Sequence, residues 1–354
     1  MTLSFNNFTY IAEHPFEFGK NVRIEFEKDI PDSLYKYYSP NNYNFTAIAN
    51  NEFYCSHPFQ FNDLTDCTPY SYDFSDINFE DFKTIYINLS KLKIEEIEEM
   101  YHRDKAAGFK EYRTQFYMML TQHLGILCLS ENEMHNLMWG YYASDAGFKI
   151  KFKTDALLES INDVNGQNVL FFPINYIDNK LHIDINKYGS WLPILLEIST
   201  KVKHWQHEHE WRIVMFKNDM DVPNSLITPS IPDYNGKDNR FIKYNPEAVE
   251  EIVFGMNFFN GKIVKKSTFV SNTEIHITVE DFDVCNFLDF VALKLVDKVY
   301  HCGIFTDREN LIFDGAAMIE SSIEKIIFTK LAENLYSINR NTPESCLRFQ
   351  NEYD

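Results

Sequence analysis

Residues 147–153 read Gly-Phe-Lys-Ile-Lys-Phe-Lys, a strict alternation of apolar and cationic side chains. Successive side chains of a β-strand point to opposite faces of the sheet. The stretch therefore predicts a strand that buries Phe148, Ile150 and Phe152 and turns its lysines outward. This pattern makes a β-sheet part of the predicted core.

Further elements are predicted on both sides of this strand. Alternating or short apolar segments predict strands at 20–27, 34–39, 125–130, 168–177, 212–216, 250–255 and 274–281. Helical spacing of apolar residues predicts a short helix that turns into a strand at 44–54, and longer helices at 91–123 and 188–203. Strands and helices thus share one core, which is typical of the α+β class.

The character of the sequence changes after Asp281. Residues 286–300 and 315–337 carry apolar residues at helical spacing and predict two amphipathic helices. We therefore expect a core domain at 1–280 and a C-terminal helical accessory unit at 281–354. The apolar faces of these helices must be buried, either on the core or on another chain, so this unit could support a homodimer or bind a regulatory partner.

The composition excludes several classes of protein. The 354 residues include 52 acidic and 33 basic ones, and the net charge of −19 repels nucleic-acid backbones and anionic lipids. The six cysteines form no CxxC pair, which favours reduced thiols. The sequence contains no apolar run as long as a membrane span, and it does not open with a basic start followed by an apolar stretch. These features predict a cytoplasmic protein without a membrane partner.

The first polar segment of interest is NLMWGYYASDAGF, residues 136–148. Clustered aromatic rings beside small residues can form a flat slot for a planar ring, which a hydroxyl or carboxylate then orients. The residues concerned are Trp139, Tyr141, Tyr142, Ser144 and Asp145. The alternative is an aromatic core helix capped by Ser144 or Asp145.

The second segment is KHWQHEHEWRIVMF, residues 203–216. If 205–212 is extended, its alternation places Gln206, Glu208, Glu210 and Arg212 on one face. Two carboxylates on one strand face can form a paired acidic site, in which each tunes the other's pKa or one is held by Arg212. The alternative is a solvated strand face with a cross-strand ion pair.

Two groups of residues could each form a metal site. His204, His207 and His209 with Glu208 could ligate a divalent ion, but their spacing matches no known ligand motif. In the loop FQFNDLTD at 59–66, Asn62, Asp63 and Asp66 could bind a cation, or could instead close a turn and cap the next element.

Taken in order, these segments resemble the bacterial family called domain of unknown function 2971, over roughly residues 34–255. The resemblance rests on ordered motifs: Leu34-Tyr35-Lys36-Tyr37, Pro58 to Asp66, Cys128-Leu129-Ser130, Met138 to Ala143, Gly147-Phe148, Glu208 to Arg212, and Ile252 to Gly255. Two departures stand out. Leu64 replaces a usual proline, and Gly140-Tyr141 replaces a common Ser-His pair.

The order of parts is also similar, more distantly, to the ADP-ribosyltransferase superfamily. That resemblance implies a mixed, largely antiparallel sheet core, NAD as the substrate and no metal. It assigns catalysis to Glu210, which would support charge on the ribose, and to Glu208, which would orient or deprotonate the acceptor. The NAD-binding residues it implies are Lys36, Tyr37, Trp139, Tyr141, Tyr142 and Ser144.

The leading hypothesis is an NAD-consuming enzyme that transfers ADP-ribose to a protein or nucleic acid, or hydrolyses NAD. Such an activity would suit a bacterial toxin or antiphage effector. We then expect residues 139–147 and the two glutamates to line one cavity. One alternative is a metal-dependent nuclease or hydrolase built from Asp63, Asp66, His207 and Glu208. Another is a non-catalytic binding module that uses the aromatic slot.

Overall fold

The computed structural model describes residues 1–13, 22–69, 72–74, 77–89, 92–106, 109–133, 136–144, 146–165, 169–181, 183–188, 191–217, 220, 239–259, 262–303 and 322–340. The chain divides into two compact units, each assembled from three separate segments. Unit 1 comprises Met1–Asp29, Cys55–Cys128 and Gln167–Arg240. Unit 2 comprises Ile30–Tyr54, Leu129–Gly166 and Phe241–Asp354.

The strands are β1 (Thr2–Phe5), β2 (Phe8–Ala12), β3 (Val22–Phe26), β4 (Ser33–Tyr38), β5 (Glu52–Tyr54), β6 (Tyr72–Asp73), β7 (Leu124–Ser130), β8 (Phe148–Lys153), β9 (Val169–Pro173), β10 (Asn175–Ile177), β11 (Ile183–Asp184), β12 (Thr200–Val202), β13 (Glu210–Phe216), β14 (Phe241–Lys243), β15 (Val249–Phe254), β16 (Lys266–Phe269), β17 (Glu274–Thr278), β18 (Val299–Gly303), β19 (Ser322–Ala332) and β20 (Leu335–Arg340). The α-helices are α1 (Asn42–Ala49), α2 (Phe79–Leu89), α3 (Ile94–Ala106), α4 (Lys110–Thr121), α5 (Asn136–Met138), α6 (Thr154–Asn165), α7 (Ile185–Tyr188), α8 (Trp191–Ser199) and α9 (Phe282–Lys294).

Unit 1 combines short sheets with helices. Strands β1, β2 and β3 form an antiparallel sheet, and β13 pairs antiparallel with β9. Strand β10 pairs in parallel with β12. Helix α8 is buried along its whole length, as its apolar sequence requires. The hydrophobic core of unit 1 includes Tyr10, Trp191 and Val214.

Unit 2 is built on a large mixed sheet, mostly antiparallel, with the strand order β16-β17-β20-β19-β18-β15-β8-β4. Strands β15 and β18 are parallel, whereas the other pairings described in this unit are antiparallel. Together with the helices, this sheet confirms the α+β class.

The alternating stretch at 147–153 forms β8, and Phe148, Ile150 and Phe152 are fully buried as predicted. One part of that prediction is wrong, because Lys149 does not face outward and its side chain is also buried. Its ammonium donates a hydrogen bond to the Glu133 carbonyl at 2.7 Å and lies 4.9 Å from the centre of the Tyr35 ring. These contacts replace water around the charge.

The predicted C-terminal pair of helices requires correction. The first corresponds to α9, whose N-terminus is capped by the Asp281 carboxylate. The second is wrong from Ser322 onward, because β19 and β20 pair there as an antiparallel hairpin. Residues 315–321 lie outside the described residues. The apolar residues of β19 do not alternate with polar ones, but Ile326 and Phe328 are buried while Ile327 between them is exposed, and pairing with β18 and β20 decided the structure.

No helix in the described part of the chain is long and apolar enough to cross a membrane.

Candidate functional site

The second polar segment lies in unit 1 and begins with a turn. Residues Lys203–Glu208 form a 3-10 helix, and His209 adopts the left-handed conformation with φ 44° and ψ 50°. Strand β13 starts only at Glu210. The expectation of an extended 205–212 stretch is therefore wrong in its first half. The tight turn nevertheless brings Glu208 back beside Glu210.

Arg212 is the centre of the site and is completely buried. Its Nη1 and Nη2 atoms donate to the two carboxylate oxygens of Asp66, at 3.1 and 2.5 Å. Its Nε donates to Oε1 of Glu210 at 2.6 Å, and Nη1 also donates to the Ile198 carbonyl at 2.8 Å. The Phe61 ring covers the guanidinium at 5.1 Å. Because the N–H groups of Arg212 donate to two carboxylates at once, the plane of its guanidinium is fixed.

Lys201 supplies the second cation of the site. Its Nζ atom lies 2.5 Å from Oε2 of Glu208, 3.1 Å from Oε2 of Glu210 and 3.6 Å from Oδ2 of Asp66. The three carboxylates come from the 59–66 loop, the 3-10 turn and β13, so residues distant in sequence meet at one ammonium. All of these side chains are at most 6% exposed.

The charges in the site hold one another in the ionised form. Burial alone raises the pKa of Glu210, but the charges of Arg212 and Lys201 outweigh it and lower this pKa to about 2. Burial disfavours the Lys201 ammonium, yet the carboxylates of Glu210 and Asp66 raise its pKa above the ordinary value. A buried carboxylate keeps its charge only beside such partners.

Neutral polar groups and rings surround the charges. The Tyr176 hydroxyl accepts a hydrogen bond from the Glu210 backbone N–H at 2.9 Å, and burial together with the Glu210 charge raises the Tyr176 pKa. Burial and the Asp66 charge likewise raise the pKa of the Cys67 thiol, which therefore stays protonated. The Trp205 ring lies 5.0 Å from the Lys201 ammonium.

The formal charges of this cluster do not balance. Three carboxylates (Asp66, Glu208 and Glu210) meet two cations (Lys201 and Arg212), which leaves one negative charge among the described residues. A second pair beside it, Lys180 with Glu197 at 3.3 Å, is balanced. A surplus carboxylate in a buried site can stabilise a positive charge that develops on a bound molecule, or can accept a proton from it.

The sequence predicted part of this cluster. The prediction that Arg212 holds one of the two glutamates is confirmed. The alternative of a solvated strand face with a cross-strand ion pair is wrong, because Glu210 and Arg212 lie on the same strand and both side chains are buried. Lys201 was not predicted at all, and Asp66 was predicted only as a metal ligand or as a residue that closes a turn or caps the next element. No local pattern marks Lys201, because it lies seven residues before Glu208 and meets the carboxylates only through the fold.

The first polar segment lies in unit 2 and forms a π-helical turn at Trp139–Ala143. Trp139 is buried in an apolar cluster, where the Tyr37 ring meets it edge-on at 5.4 Å. Tyr142 packs against the same cluster, whereas Tyr141 is 61% exposed. Trp139 therefore takes the core position of the alternative interpretation, and the slot for a planar ring stays a prediction.

The other predicted NAD-binding residues occupy distinct positions within unit 2. The Ser144 backbone N–H closes the π-helical turn by donating to the Trp139 carbonyl, with φ 51° at Ser144. Asp145 lies outside the described residues. Tyr37 donates to the Glu133 carbonyl at 3.0 Å, and the Lys36 ammonium lies 5.6 Å from the Tyr38 ring. These residues belong to unit 2 and the glutamates to unit 1, so the single cavity stays a prediction.

The metal hypotheses gain no support from the geometry. Asp63 accepts hydrogen bonds from the backbone N–H and hydroxyl of Thr65, both at 2.8 Å, which is the turn-closing role. His207 contacts the carbonyl of His204 at 3.1 Å. Among the described residues, no group of three or more His, Cys, Asp or Glu side chains is arranged to hold a metal ion.

Comparison with known proteins adds one finding. No curated protein matches the chain. No solved structure matches it either. Residues 138–213, which include most of both polar segments, match the model of the family described as "Protein of unknown function (DUF2971)".

Proposed function

We propose that the cluster around Glu208 and Glu210 cleaves the bond between nicotinamide and ribose in NAD, either to transfer ADP-ribose or to hydrolyse NAD. The observation that carries the proposal is the surplus carboxylate of a buried, ordered ion cluster. The distant resemblance to ADP-ribosyltransferases points to the same two glutamates. The match at residues 138–213 is to a family of unknown function and names no reaction.

The chemistry of this bond requires a buried negative charge. When the bond from ribose C1′ to the pyridinium nitrogen breaks, its electron pair goes to that nitrogen and nicotinamide leaves neutral. The positive charge moves to C1′ and the ring oxygen of an oxocarbenium-like transition state. A carboxylate fixed beside the ribose stabilises this state more than the substrate, whose charge lies on the pyridinium ring.

Glu210 suits the role of the fixed carboxylate. Arg212 and Lys201 hold its two oxygens at 2.6 and 3.1 Å, and its low pKa keeps it ionised throughout the physiological range. Such a group needs no reorganisation when charge develops. The two cations weaken its field, and the charges of Glu208 and Asp66 restore a net negative site.

Glu208 suits the acceptor step. Its Oε2 atom contacts Lys201 at 2.5 Å, and it stands at the end of the 3-10 turn immediately before β13. In transfer, an acceptor oxygen or nitrogen attacks C1′ and its proton passes to Glu208. In hydrolysis, water takes the place of the acceptor and gives up its proton in the same way.

The proposal also requires that NAD can reach the two glutamates. Both side chains are almost fully buried, and Trp205 on the 3-10 turn covers Lys201. NAD binding therefore displaces the Lys203–Glu208 turn, after which the indole of Trp205 can lie against the nicotinamide ring. Closure of the turn would then exclude water from the bond that breaks.

To test this proposal, the purified full-length protein is incubated with NAD, and the release of nicotinamide is measured by chromatography. The metal content of the same sample is determined in parallel. Release without bound metal, abolished by Glu208→Gln and Glu210→Gln together, is the expected result. Biotin-labelled NAD added to protein and nucleic-acid fractions distinguishes transfer from hydrolysis and identifies the class of acceptor. An activity of this kind would fit a toxin or an antiphage effector.

A metal-dependent hydrolase is the second candidate. The described residues include no group arranged to hold a metal ion, and the point where the carboxylates of Asp66, Glu208 and Glu210 converge is occupied by the Lys201 ammonium. A divalent cation could occupy that point only if Lys201 moved away. Hydrolysis of a phosphodiester that stops on addition of a chelator, without any loss of NAD, would select this candidate over the first.

A further inference from the structure

A separate cavity of about 420 Å³ lies in unit 2, between α1, the start of α9 and the short sheet of β5 and β14. Its walls are Asn42, Tyr43, Thr46, Ala47, Glu52, Phe241 and Asp283. The Asn42 side chain donates to the Asp281 carboxylate at 3.2 Å and so ties the beginnings of α1 and α9 together. None of these residues takes part in the cluster of unit 1.

The rings of Tyr43 and Phe241 line this cavity, and the Tyr54 ring packs against both of them. The register of β5 and β14 places Tyr54 directly opposite Phe241, and their ring centroids are 5.3 Å apart. Tyr43 on α1 completes a group of three, with its ring 5.4 Å from each of the other two. Tyr43 is 48% exposed, so its ring remains accessible from solvent.

Carboxylates stand beside the rings. Glu52 lines the cavity, and its only cationic contact within the described residues is Lys243 at 3.9 Å, directly opposite on β14. The Asp283 carboxylate makes no hydrogen bond or ion pair with any described residue. The cavity therefore combines ring faces, which attract cations, with one more carboxylate than ammonium group.

We propose that this cavity binds the guanidinium group of an arginine side chain. The flat guanidinium stacks on aromatic faces, and its five N–H donors can be shared between two carboxylates and the Asn42 and Thr46 side chains. A quaternary ammonium could use the rings but not these acceptors. A phosphate or carboxylate ligand would be repelled by Glu52 and Asp283.

The test measures binding of N-acetyl-arginine amide to the full-length protein by calorimetry at low salt. Tyr43→Leu removes the ring face but keeps an apolar side chain, and Asp283→Asn removes the charge. We expect each change to weaken binding about threefold to tenfold, as befits one exposed cation–π contact or one exposed ion pair. Both positions are at the surface, and thermal melts verify that the variants fold.

Matched variants control for non-specific effects. Phe269→Leu alters another exposed aromatic residue, and Glu95→Gln alters an acid in the first turn of α3, a helix as long as α9. Both should bind like the wild type. The proposal is overturned if tetramethylammonium binds as tightly as the capped arginine, if no binding occurs, or if the cavity variants bind unchanged.

Two further ligands distinguish the source of the guanidinium. Tighter binding of an arginine within a short neutral peptide than of free arginine supports recognition of a partner protein. The reverse order supports recognition of the free amino acid. Either order supports the assignment of a guanidinium ligand, provided that Tyr43→Leu weakens the binding of that ligand.

Discussion

Arg212 and Asp66 face each other through two parallel hydrogen bonds, Nη1 to Oδ1 at 3.1 Å and Nη2 to Oδ2 at 2.5 Å, although they lie 146 positions apart in the chain. This pair fastens the 59–66 loop to β13, and both side chains are at most 2% exposed. Because the same guanidinium also holds Glu210, the position of the proposed catalytic carboxylate depends on the loop.

The first prediction concerns this pair. Arg212→Met leaves the buried carboxylates of Asp66 and Glu210 with Lys201 as their only cation among the described residues. It should lower the free energy of unfolding by about 3–5 kcal/mol. Urea unfolding measures the loss. The matched control is Arg23→Met, since Arg23 also bonds two carboxylates, Glu25 and Glu13, but at the surface. If both variants lost the same free energy of unfolding, burial of the cluster would not determine how much the ion pairs stabilise the protein.

The second prediction concerns Lys201→Met, which leaves three carboxylates facing Arg212 alone. Their mutual repulsion should destabilise the protein at pH 7, and lowering the pH should recover part of the loss because one carboxylate then takes up a proton. Added Mn²⁺ should raise the melting temperature of this variant but not that of the wild type. Lys203→Met is the control, because Lys203 pairs with Asp178 in solvent at 2.7 Å. If Mn²⁺ raised the melting temperature of the wild type by the same amount, the Lys201 ammonium would not be the group that occupies the position between the three carboxylates.

The third prediction compares two glycines of the first polar segment. A Cβ at Gly147 would lie 1.9 Å from the Tyr38 carbonyl oxygen, whereas a Cβ at Gly140 would meet no atom within 4 Å. Gly147→Ala should therefore cost about 3 kcal/mol or prevent folding. Gly140→Ala should be neutral or stabilise the turn by up to about 1 kcal/mol. Thermal melts decide, and equal melting points for the two variants would refute the close approach at Gly147.

The fourth prediction concerns pH and His57. Its Nδ1 accepts a hydrogen bond from the Phe59 N–H at 3.1 Å, and its Nε2 lies 3.2 Å from the Thr121 hydroxyl, which itself donates to the Tyr117 carbonyl. These partners fit the neutral ring with the proton on Nε2. Burial, together with the Arg240 charge, lowers the His57 pKa to about 3.

The sign of the effect follows from proton uptake. Between pH 6.5 and about 3 the unfolded chain binds a proton at this histidine that the folded protein does not, so stability falls as the pH falls through this range. His301, with a pKa also lowered to about 3, acts in the same direction. His57→Asn should flatten the curve of unfolding free energy against pH above about 4.5, while His204→Asn at the surface should not. A curve unchanged by His57→Asn would contradict the neutral state.

The fold was predictable where local pattern and tertiary environment agree. Alternation sufficed for β8, and the break at Pro173 separates β9 from β10. The helical prediction failed at Ser322–Ala332, where pairing with β18 and β20 overrides a spacing of apolar residues that also fits a helix. Local pattern says little about partners that lie far apart in the chain.

The candidate site shows the same limit. Glu208, Glu210 and Arg212 were visible because they are close in sequence, but the extended geometry expected for them was wrong. The left-handed His209 changes the direction of the chain, and no glycine or proline marks that turn. Lys201 and Asp66 became part of the site only through the packing of three segments around Arg212.

The most direct test of the proposed function compares nicotinamide release from NAD by the wild type, Glu210→Gln and Glu208→Gln. Glu210→Gln removes the carboxylate that Arg212 and Lys201 share and so weakens the hydrogen bonds that both cations make to it. The melting temperature should fall, so the rates are measured well below the melting temperature of each variant. The wild type should release nicotinamide, and Glu210→Gln should lose about a hundredfold to a thousandfold in rate. Glu208→Gln should transfer less ADP-ribose but retain some hydrolysis. A folded wild type that releases no nicotinamide, or a folded Glu210→Gln variant with the full rate, would contradict the account.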